Sequence, residues 1–349
     1  MKIKNYEIEM LKVKSADAFI IHLIDEFDRD YIILIDAGNY GDGQMIIDHL
    51  HKYYKNPKIN LAIVTHADGD HFGGFIYLLE KLKTNTKDKI EIKQFWVHDP
   101  GEHITSDNVK YRWKENNAKE EARSVLDCNN ENLLNLIDEL GIKRTEQFAF
   151  DYHEDFKLLV IGPTVEFYKS LVHNFRHDLQ KREIYETNET DEEATVTINE
   201  GIIHSRTLDQ AGDDPSNHNQ SSFLILFMPE LESESESESE SDKKYLFMGD
   251  AGENAFNNIP ENLLELIKNV FWLKIPHHGS KKNMTNAMIN FLRPRKAYIS
   301  TEKIGKYLSK SVVNALKKVG CDVYSTHKNG NMLHHKINER DGYSTAESL

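Results

Sequence analysis

The chain has 349 residues, of which 39% are hydrophobic and 10% aromatic; this is enough apolar material for a core and excludes a disordered or fibrous chain. It carries 43 Lys plus Arg against 57 Asp plus Glu, a formal net charge of −14, and the lack of a basic stripe argues against broad electrostatic binding of duplex nucleic acid. Two cysteines, Cys128 and Cys321, are too few for a disulfide framework and favour a reducing cytoplasm, and no apolar run approaches the ~20 residues that span a bilayer, so we expect no membrane insertion.

The first third of the chain reads as predicted strands followed by helices. Three apolar runs without helical periodicity predict an antiparallel meander, and then a helix, a buried strand and a second helix follow. In order, these segments are 6–13, 18–24, 31–35, 45–54, 61–64 and 72–82. The polar loop after strand 61–64 follows the carboxyl end of that strand, where ligand sites of layered α/β folds are usually found.

The rest of the chain is predicted to complete the same domain. Two polar stretches, 101–155 and 164–215, are interpreted as insertions, because no flexible Gly/Ser linker marks a domain boundary. We therefore predict one domain over 1–340, followed by a polar tail at 341–349. The remaining predicted strands are 95–97, 156–161, 223–228, 245–248, 271–275, 296–299 and 322–324, and the remaining helices include 263–267, 286–291 and 311–319.

A Ser-Glu repeat lies between two of these strands. Residues 230–242 contain seven acids and no base, which is half of the net charge. Like charges at every second position repel one another and bury nothing, so we predict a disordered loop at the tip of a hairpin between 223–228 and 245–248. An acidic partner-binding segment is the alternative interpretation.

The densest chemical signal is the segment from Thr65 to Gly74. It places His66, Asp68, Asp70 and His71 within six residues, in a loop whose glycines allow the backbone to turn tightly. Imidazole and carboxylate are the ligand types for Zn²⁺, Mn²⁺ and Fe²⁺. A solvated acidic turn with two incidental histidines is the alternative.

Three weaker signals also follow predicted strands. They are Asp36 in Ile-Asp-Ala-Gly, Asp250 in Gly-Asp-Ala-Gly, and the pair His277-His278 in Pro-His-His-Gly-Ser. Each is compatible with an ordinary turn. Taken together they indicate one site, because one layered fold can bring all of these strand ends to one edge of its sheets.

Together these residues resemble the motif series of the metallo-β-lactamase superfamily, and more narrowly the hydrolase domain of the competence protein ComEC and its soluble relatives. That subgroup also has an Asn and a Ser before the hairpin, as in Asn219-Gln220-Ser221-Ser222 here. The resemblance covers roughly 5–100 and 156–335. It implies an α/β fold, a four-layer αββα sandwich with the metal site at one edge.

The resemblance also implies one or two divalent metal ions, with Zn or Mn as candidates. One ion would be held by Asp70, His71, Asp250 and one of His277 or His278. His278 is favoured because the family usually has its ligand next to the glycine, and His277 is then a neighbouring or substituted ligand.

The second predicted ion site departs from the usual pattern. His66 matches a family ligand, but Asp68 stands where most members have histidine, and the remaining histidine is absent or supplied by His218. This carboxylate-rich set shifts the preference from zinc toward Mn²⁺ or another hard ion. Asp36 resembles the aspartate that orients a loop histidine through its other ring nitrogen, and the residues expected to support the site further are Asn219 and Ser222.

These residues predict a hydrolase that uses metal-activated water, with Asp68 or Asp70 relaying a proton. Lys281 could meet a phosphate, although a solvated lysine is the simpler interpretation. The ComEC resemblance implies a phosphodiesterase or nuclease acting on DNA or a nucleotide. The alternatives are a regulatory or partner-binding protein that has lost turnover, and a hydrolase of another ester or a lactam.

Overall fold

A computed structural model describes residues 1–104, 115–175, 208, 212–214, 216–229, 243–302, 308–334, 340 and 343–349. The strands over these residues, in chain order, are β1 (Ile3–Met10), β2 (Phe19–Asp25), β3 (Asp30–Ile35), β4 (Lys58–Ile63), β5 (Glu91–Ile92), β6 (Gln94–Trp96), β7 (Asp127–Cys128), β8 (Glu131–Asn132), β9 (Lys143–Thr145), β10 (Tyr152–His153), β11 (Leu158–Gly162), β12 (Leu224–Phe227), β13 (Tyr245–Phe247), β14 (Trp272–Lys274), β15 (Lys296–Ile299), β16 (Asp322–Ser325) and β17 (Met332–His334).

Two large sheets contain most of these strands. The first has the order β17-β1-β2-β3-β4-β6-β9, with β5 also paired to β4, and the second has the order β10-β11-β12-β13-β14-β15-β16. The predicted meander β1-β2-β3 is antiparallel, and β3, β4, β6 and β9 run parallel. In the second sheet β12 and β13 form the predicted antiparallel pair, and β13 to β16 are parallel. Parallel neighbours bring their carboxyl ends to one edge.

Eleven α-helices lie among the described residues, and several join the strands. They are α1 (Gly43–Tyr53), α2 (Gly69–Lys83), α3 (Glu115–Arg123), α4 (Leu133–Glu139), α5 (Val165–Val172), α6 (Asn217–Gln220), α7 (Glu253–Asn257), α8 (Glu261–Leu264), α9 (Asn286–Leu292), α10 (Lys310–Lys318) and α11 (Thr326–Asn329). No described helix has the length and apolar character that a bilayer-spanning segment requires.

Alternating side chains along the strands serve two hydrophobic cores. In β3, Ile33 belongs to the core between the sheets, whereas Leu34 packs with the helices on the outer face. The inner core is rich in aromatic residues: the ring of Phe19 lies 5.6 Å from that of Phe247 and 6.3 Å from that of Trp272, which joins the first sheet to the second. The fold is therefore the predicted α/β sandwich of the αββα type.

The segments predicted as insertions are partly built into the sheets. Residues 101–155 supply β9 to the edge of the first sheet and β10 to the edge of the second. Of 164–215, α5 and a few residues before α6 are described. The predicted Ser-Glu loop, 230–242, lies outside the described residues. In the predicted tail, the backbone N–H of Leu349 donates to Val323 O at 2.7 Å, so the end of the chain contacts β16.

A buried ionic cluster fastens the C-terminal segment to β1. Arg340 forms ion pairs with Glu7 and Glu9, and Glu9 also contacts His49 Nε2 at 2.8 Å and accepts from the Tyr343 hydroxyl at 2.6 Å. Burial alone would raise the pKa of Glu9, but His49 and Arg340 outweigh it and lower the pKa to about 2. Glu9 is therefore an ionised carboxylate inside the fold.

Candidate metal centre

Asp36 is the first residue after β3, and it holds the loop that follows β4. Its backbone is left-handed, with φ of 55°, a conformation that Asp tolerates better than most residues. Oδ1 accepts the backbone N–H of Thr65 at 2.8 Å, while Oδ2 accepts the Thr65 hydroxyl at 2.7 Å and lies 2.7 Å from His71 Nδ1. The His71 ring is thus oriented through Nδ1, and its Nε2 is left for the centre.

Helix α2 begins earlier than the sequence pattern predicts. It starts at Gly69 rather than at residue 72, because the Asp68 side chain caps it by accepting the Gly69 N–H at 3.1 Å. Asp70 and His71 consequently lie in the first turn of the helix. The helix approaches the segment after β3 so closely that a Cβ at Gly74 would lie 1.9 Å from Ala37 O.

His66 lies next to His71, with 4.1 Å between the ring centroids. Its Nδ1 is 3.1 Å from the Thr65 hydroxyl, and its Nε2 is 3.8 Å from Asp68 Oδ2. Both imidazoles are buried, and within the described part of the chain neither Nε2 atom has a hydrogen-bond partner. Buried polar atoms are normally satisfied, so two adjacent unpartnered imidazole nitrogens fit a pair of metal ligands.

The two oxygens of Asp250, which follows β13, have different surroundings. Oδ1 accepts the backbone N–H of His277 at 3.0 Å and lies 3.3 Å from Lys274 Nζ. Oδ2 lies 3.4 Å from His71 Nε2, 3.9 Å from His278 Nε2 and 4.0 Å from His277 Nε2. Asp250 therefore presents one oxygen to three imidazoles.

The histidine pair after β14 is held in a left-handed turn, with φ of 46° at His277 and 52° at His278. His278 Nδ1 is 3.0 Å from Ser300 O, and its Nε2 is 3.4 Å from Asp70 Oδ2. His277 Nδ1 is 3.0 Å from Asp214 Oδ2. Each ring is thus fixed through Nδ1, and each Nε2 lies within 4.0 Å of Asp250 Oδ2.

Among the described residues, three groups of side chains bring potential ligand atoms within 4.8 Å of one another. Two of them are His66, His71 and Asp250, and Asp70, His71 and His278. The third, formed by Asp17, Asp36 and His71, lies on the Nδ1 side of the His71 ring. Residues that are far apart in the chain are therefore brought together, as the strand-ending motifs predict.

The other predicted site residues occupy different positions. His218 Nδ1 lies 3.1 Å from Ala67 O and its Nε2 lies 2.6 Å from Phe175 O, so both ring nitrogens face backbone carbonyls rather than the imidazole cluster. The Asn219 amide donates to Asp214 Oδ2 at 2.7 Å, and the Ser222 hydroxyl accepts the Asp250 N–H at 3.0 Å. Lys281 is exposed.

Four buried residues around the cluster carry no signal that was recognised in the sequence. They are Asp17, Asp214, Lys274 and Asn283. Lys274 contacts both Asp17 and Asp250. Asp214 accepts from Asn283 Nδ2 at 2.8 Å in addition to contacting His277. The available signal was Lys274 itself, a charged residue at the end of the otherwise apolar strand segment 270–275. The other three have no distinguishing sequence pattern.

The electrostatics of the cluster favour the ionised forms of Asp70 and Asp250. Burial opposes ionisation of Asp250, but His71 and Lys274 hold the pKa of this carboxyl well below its usual range. Burial and the Asp68 carboxylate likewise oppose ionisation of Asp70, and His71 and His278 lower its pKa overall. Anionic oxygens next to buried imidazole nitrogens are a suitable donor set for a divalent cation.

Residues 18–137 match the family model of the Metallo-beta-lactamase superfamily. The sequence is therefore similar to the metallo-β-lactamase superfamily over these residues. The crystal structure of a long form RNase Z from yeast is similar over 85% of this chain, with 16% sequence identity and a TM-score of 0.36. The match covers 37% of that chain, so this protein spans little more than a third of its length. No curated protein sequence matches this one.

The metallo-β-lactamase fold implies divalent metal ions, and the residues present fit them. The buried imidazoles of His66 and His71 each bring a potential ligand nitrogen within 4.8 Å of an Asp250 oxygen, at the edge where β4, β13 and β14 end. Imidazole and carboxylate are also the ligands that catalytic zinc and manganese sites use. The match and the donor set together support a metal-dependent hydrolase.

Proposed function

We propose that this protein is a metal-dependent phosphodiesterase that acts on nucleic acid or a nucleotide. The observation that carries the proposal is the convergence of His66, His71 and Asp250, with His71 Nε2 at 3.4 Å from Asp250 Oδ2, beside the second group of Asp70, His71 and His278. The first-to-last order of these motifs resembles that of the ComEC hydrolase domain, which supports nucleic acid as the substrate class.

The proposed ligands fall into two sets that share Asp250. His66 and Asp68 form the first set, and Asp70, His71 and His278 form the second. We do not assign His218 to the first set, because its two ring nitrogens face the carbonyls of Ala67 and Phe175.

His277 stands next to both sets and is proposed to contribute a further imidazole. Its Nδ1 lies 3.0 Å from both Asp214 Oδ2 and Asn283 Oδ1, which fixes the orientation of the ring. Its Nε2 faces Asp250 Oδ2 at 4.0 Å. The side chain is 17% exposed, so unlike His71 and His278 it borders solvent, where a substrate enters.

A bound divalent ion lowers the pKa of water toward ~7 and stabilises charge on phosphoryl oxygens. The protein residues supply the remaining functions. Asp68 and Asp70 retain 13% and 29% exposure, so their carboxylates can accept a proton from water at the mouth of the site. Asp36 and Ser300 hold the His71 and His278 rings against rotation, which keeps the donor atoms in place.

The reaction class is tested by comparing two chromogenic substrates, a bis-aryl phosphate diester and a cephalosporin, with added Mn²⁺ or Zn²⁺. We expect metal-dependent turnover of the diester and its loss in D70A/H71A, whereas H51A, which changes a histidine on α1, keeps it. Turnover of the cephalosporin alone would assign the protein to lactam hydrolysis. A folded, metal-free wild type without turnover would favour the regulatory or partner-binding alternative.

The size of the substrate is tested with single-stranded DNA, duplex DNA and a cyclic dinucleotide. The net charge of −14 disfavours long polyanions, and duplex DNA in particular, because each phosphate would approach an acidic surface. We expect the cyclic dinucleotide or the single strand to be cleaved faster than the duplex. Preferential cleavage of duplex DNA at physiological salt would contradict this part of the proposal.

A further inference from the structure

A buried lysine lies beneath the candidate metal centre. Lys274 is the last residue of β14, and its side chain is 1% exposed. Its Nζ forms an ion pair with Asp17, donates to Gly249 O at 2.6 Å, and lies 3.3 Å from Asp250 Oδ1. An ammonium group has three N–H donors, and three acceptors surround this one.

These contacts give the two oxygens of the Asp250 carboxylate different partners. Lys274 Nζ and the His277 backbone N–H both act on Oδ1, whereas Oδ2 faces His71 Nε2 at 3.4 Å. A carboxylate that is held by a cation on one oxygen is favoured as a ligand through the other oxygen only. Groups that hold metal ligands in this way commonly change metal affinity by ~10–100-fold when they are removed.

The negative charge of Asp17 makes a buried lysine tolerable in this position. Asp17 lies in the turn before β2, in the first sheet, and is fully buried, while Lys274 belongs to the second sheet. An unpaired buried ammonium group would be strongly unfavourable, and the ion pair with Asp17 compensates it. The pair therefore spans the two sheets directly under the proposed ligands.

We propose that Lys274 is a positioning residue that makes Asp250 a one-oxygen metal ligand, with Asp17 holding the lysine in place. This inference rests on the proposed function, because it needs a metal at Asp250. It adds a role for a residue that touches neither the ion nor the substrate. Lys274 acts through Asp250, and Asp17 acts through Lys274.

The test uses the variants D17N and D17N/K274M. The single variant K274M is unsuitable, because it leaves Asp17 charged and buried without its cation. In D17N the amide oxygen can still accept from Lys274 Nζ, and Asp250 remains as the counter-charge, so the lysine stays beside Asp250. The step from D17N to D17N/K274M therefore isolates the lysine. Apo stability in EDTA, measured by urea denaturation, identifies any variant that has lost its fold.

The readout is Mn²⁺ and Zn²⁺ affinity by competition with a chelating dye, which requires no turnover. We expect D17N/K274M to bind metal about tenfold or more weakly than D17N, at the lower end of such effects because the His277 N–H still holds Oδ1. Equal affinities of the two variants would overturn the assignment. A wild type that binds no metal would instead refute the proposed function itself.

A second measurement tests the role of Lys274 if the double variant does not fold. A crystal structure of the wild type soaked with Mn²⁺ is expected to show Asp250 bound through Oδ2 only, with Oδ1 within hydrogen-bond distance of Lys274 Nζ. Coordination of the ion through both oxygens of Asp250 would overturn the proposal without any variant.

Discussion

Asp36 Oδ2 and His71 Nδ1 lie 2.7 Å apart, and this contact joins the end of one buried strand to the first turn of the helix that follows the next strand. The same carboxylate accepts two hydrogen bonds from Thr65. Asp36 thereby fixes both the loop that carries His66 and the ring of His71. A single carboxylate that touches no proposed ion sets the geometry of two proposed ligands.

Replacing Asp36 by asparagine is expected to weaken metal binding. Asn tolerates the left-handed backbone at this position, so D36N changes the hydrogen bonding and little else. Its amide cannot accept from Thr65 and His71 as the carboxylate does. We expect metal affinity to fall by about 10–100-fold, measured by chelator competition. Wild-type affinity in D36N would show that Asp36 does not orient His71.

His218 and His66 are expected to respond differently to alanine substitution. H218A removes contacts to two backbone carbonyls, so its free energy of unfolding should fall by about 1–3 kcal/mol, while the number of bound ions is unchanged. H66A should lose metal, because His66 belongs to the cluster with His71 and Asp250. Metal content by mass spectrometry and urea denaturation measure the two effects. Loss of an ion in H218A would restore His218 as a ligand.

Two glycines of α2 offer a matched pair. A Cβ at Gly74 would lie 1.9 Å from Ala37 O, whereas a Cβ at Gly69 would meet nothing within 4 Å. We expect G74A to lower the free energy of unfolding by about 1–3 kcal/mol, as overpacked sites do, and to reduce metal affinity because the helix carrying His71 is displaced. G69A should have wild-type stability or slightly more. Similar stabilities for the two variants would contradict the close packing of α2 on the β3 loop.

Acid is expected to destabilise the fold through Glu9. The pKa of this carboxyl is about 2 in the folded protein against 4.5 for the free group, so folding favours its ionised form. The resulting stability is fully present above pH 4.5 and is lost as the pH falls toward 2. The difference corresponds to up to about 3 kcal/mol.

The variant E9Q tests this pH dependence. It should be less stable than the wild type at pH 7, and its stability should change less between pH 5 and pH 2. Urea denaturation at several pH values, followed by circular dichroism, measures both effects. E26Q, at an exposed position, serves as the control and should follow the wild-type profile. An unchanged acid profile in E9Q would refute the role of the cluster with Arg340.

Much of the fold was predictable because its strands follow a simple pattern. The runs that became β2, β3 and β12 are apolar, short and bounded by polar residues, and they occur within one or two residues of the predicted positions. The start of α2 was predicted three residues late. The apolar pattern of the helix begins at Phe72, whereas the helix itself is initiated by the Asp68 cap.

The convergence of the candidate residues was predictable where they lie shortly after strands. Asp36, His66 and Asp250 were singled out in this way, because the parallel register brings strand ends together. The ion pair of Asp17 and Lys274 was not predictable, since it depends on how the two sheets are stacked. No pattern within one strand contains that information.

The inner aromatic layer has a consequence for the chemistry of the site. His66 and His71 are attached to the first sheet, while Asp250 and His278 are attached to the second. The contacts of Phe19 with Phe247 and Trp272 pack the two sheets against each other. The geometry of the proposed metal centre therefore depends on how the two sheets are stacked, and a small shear between them would separate its proposed ligands without any ligand being changed.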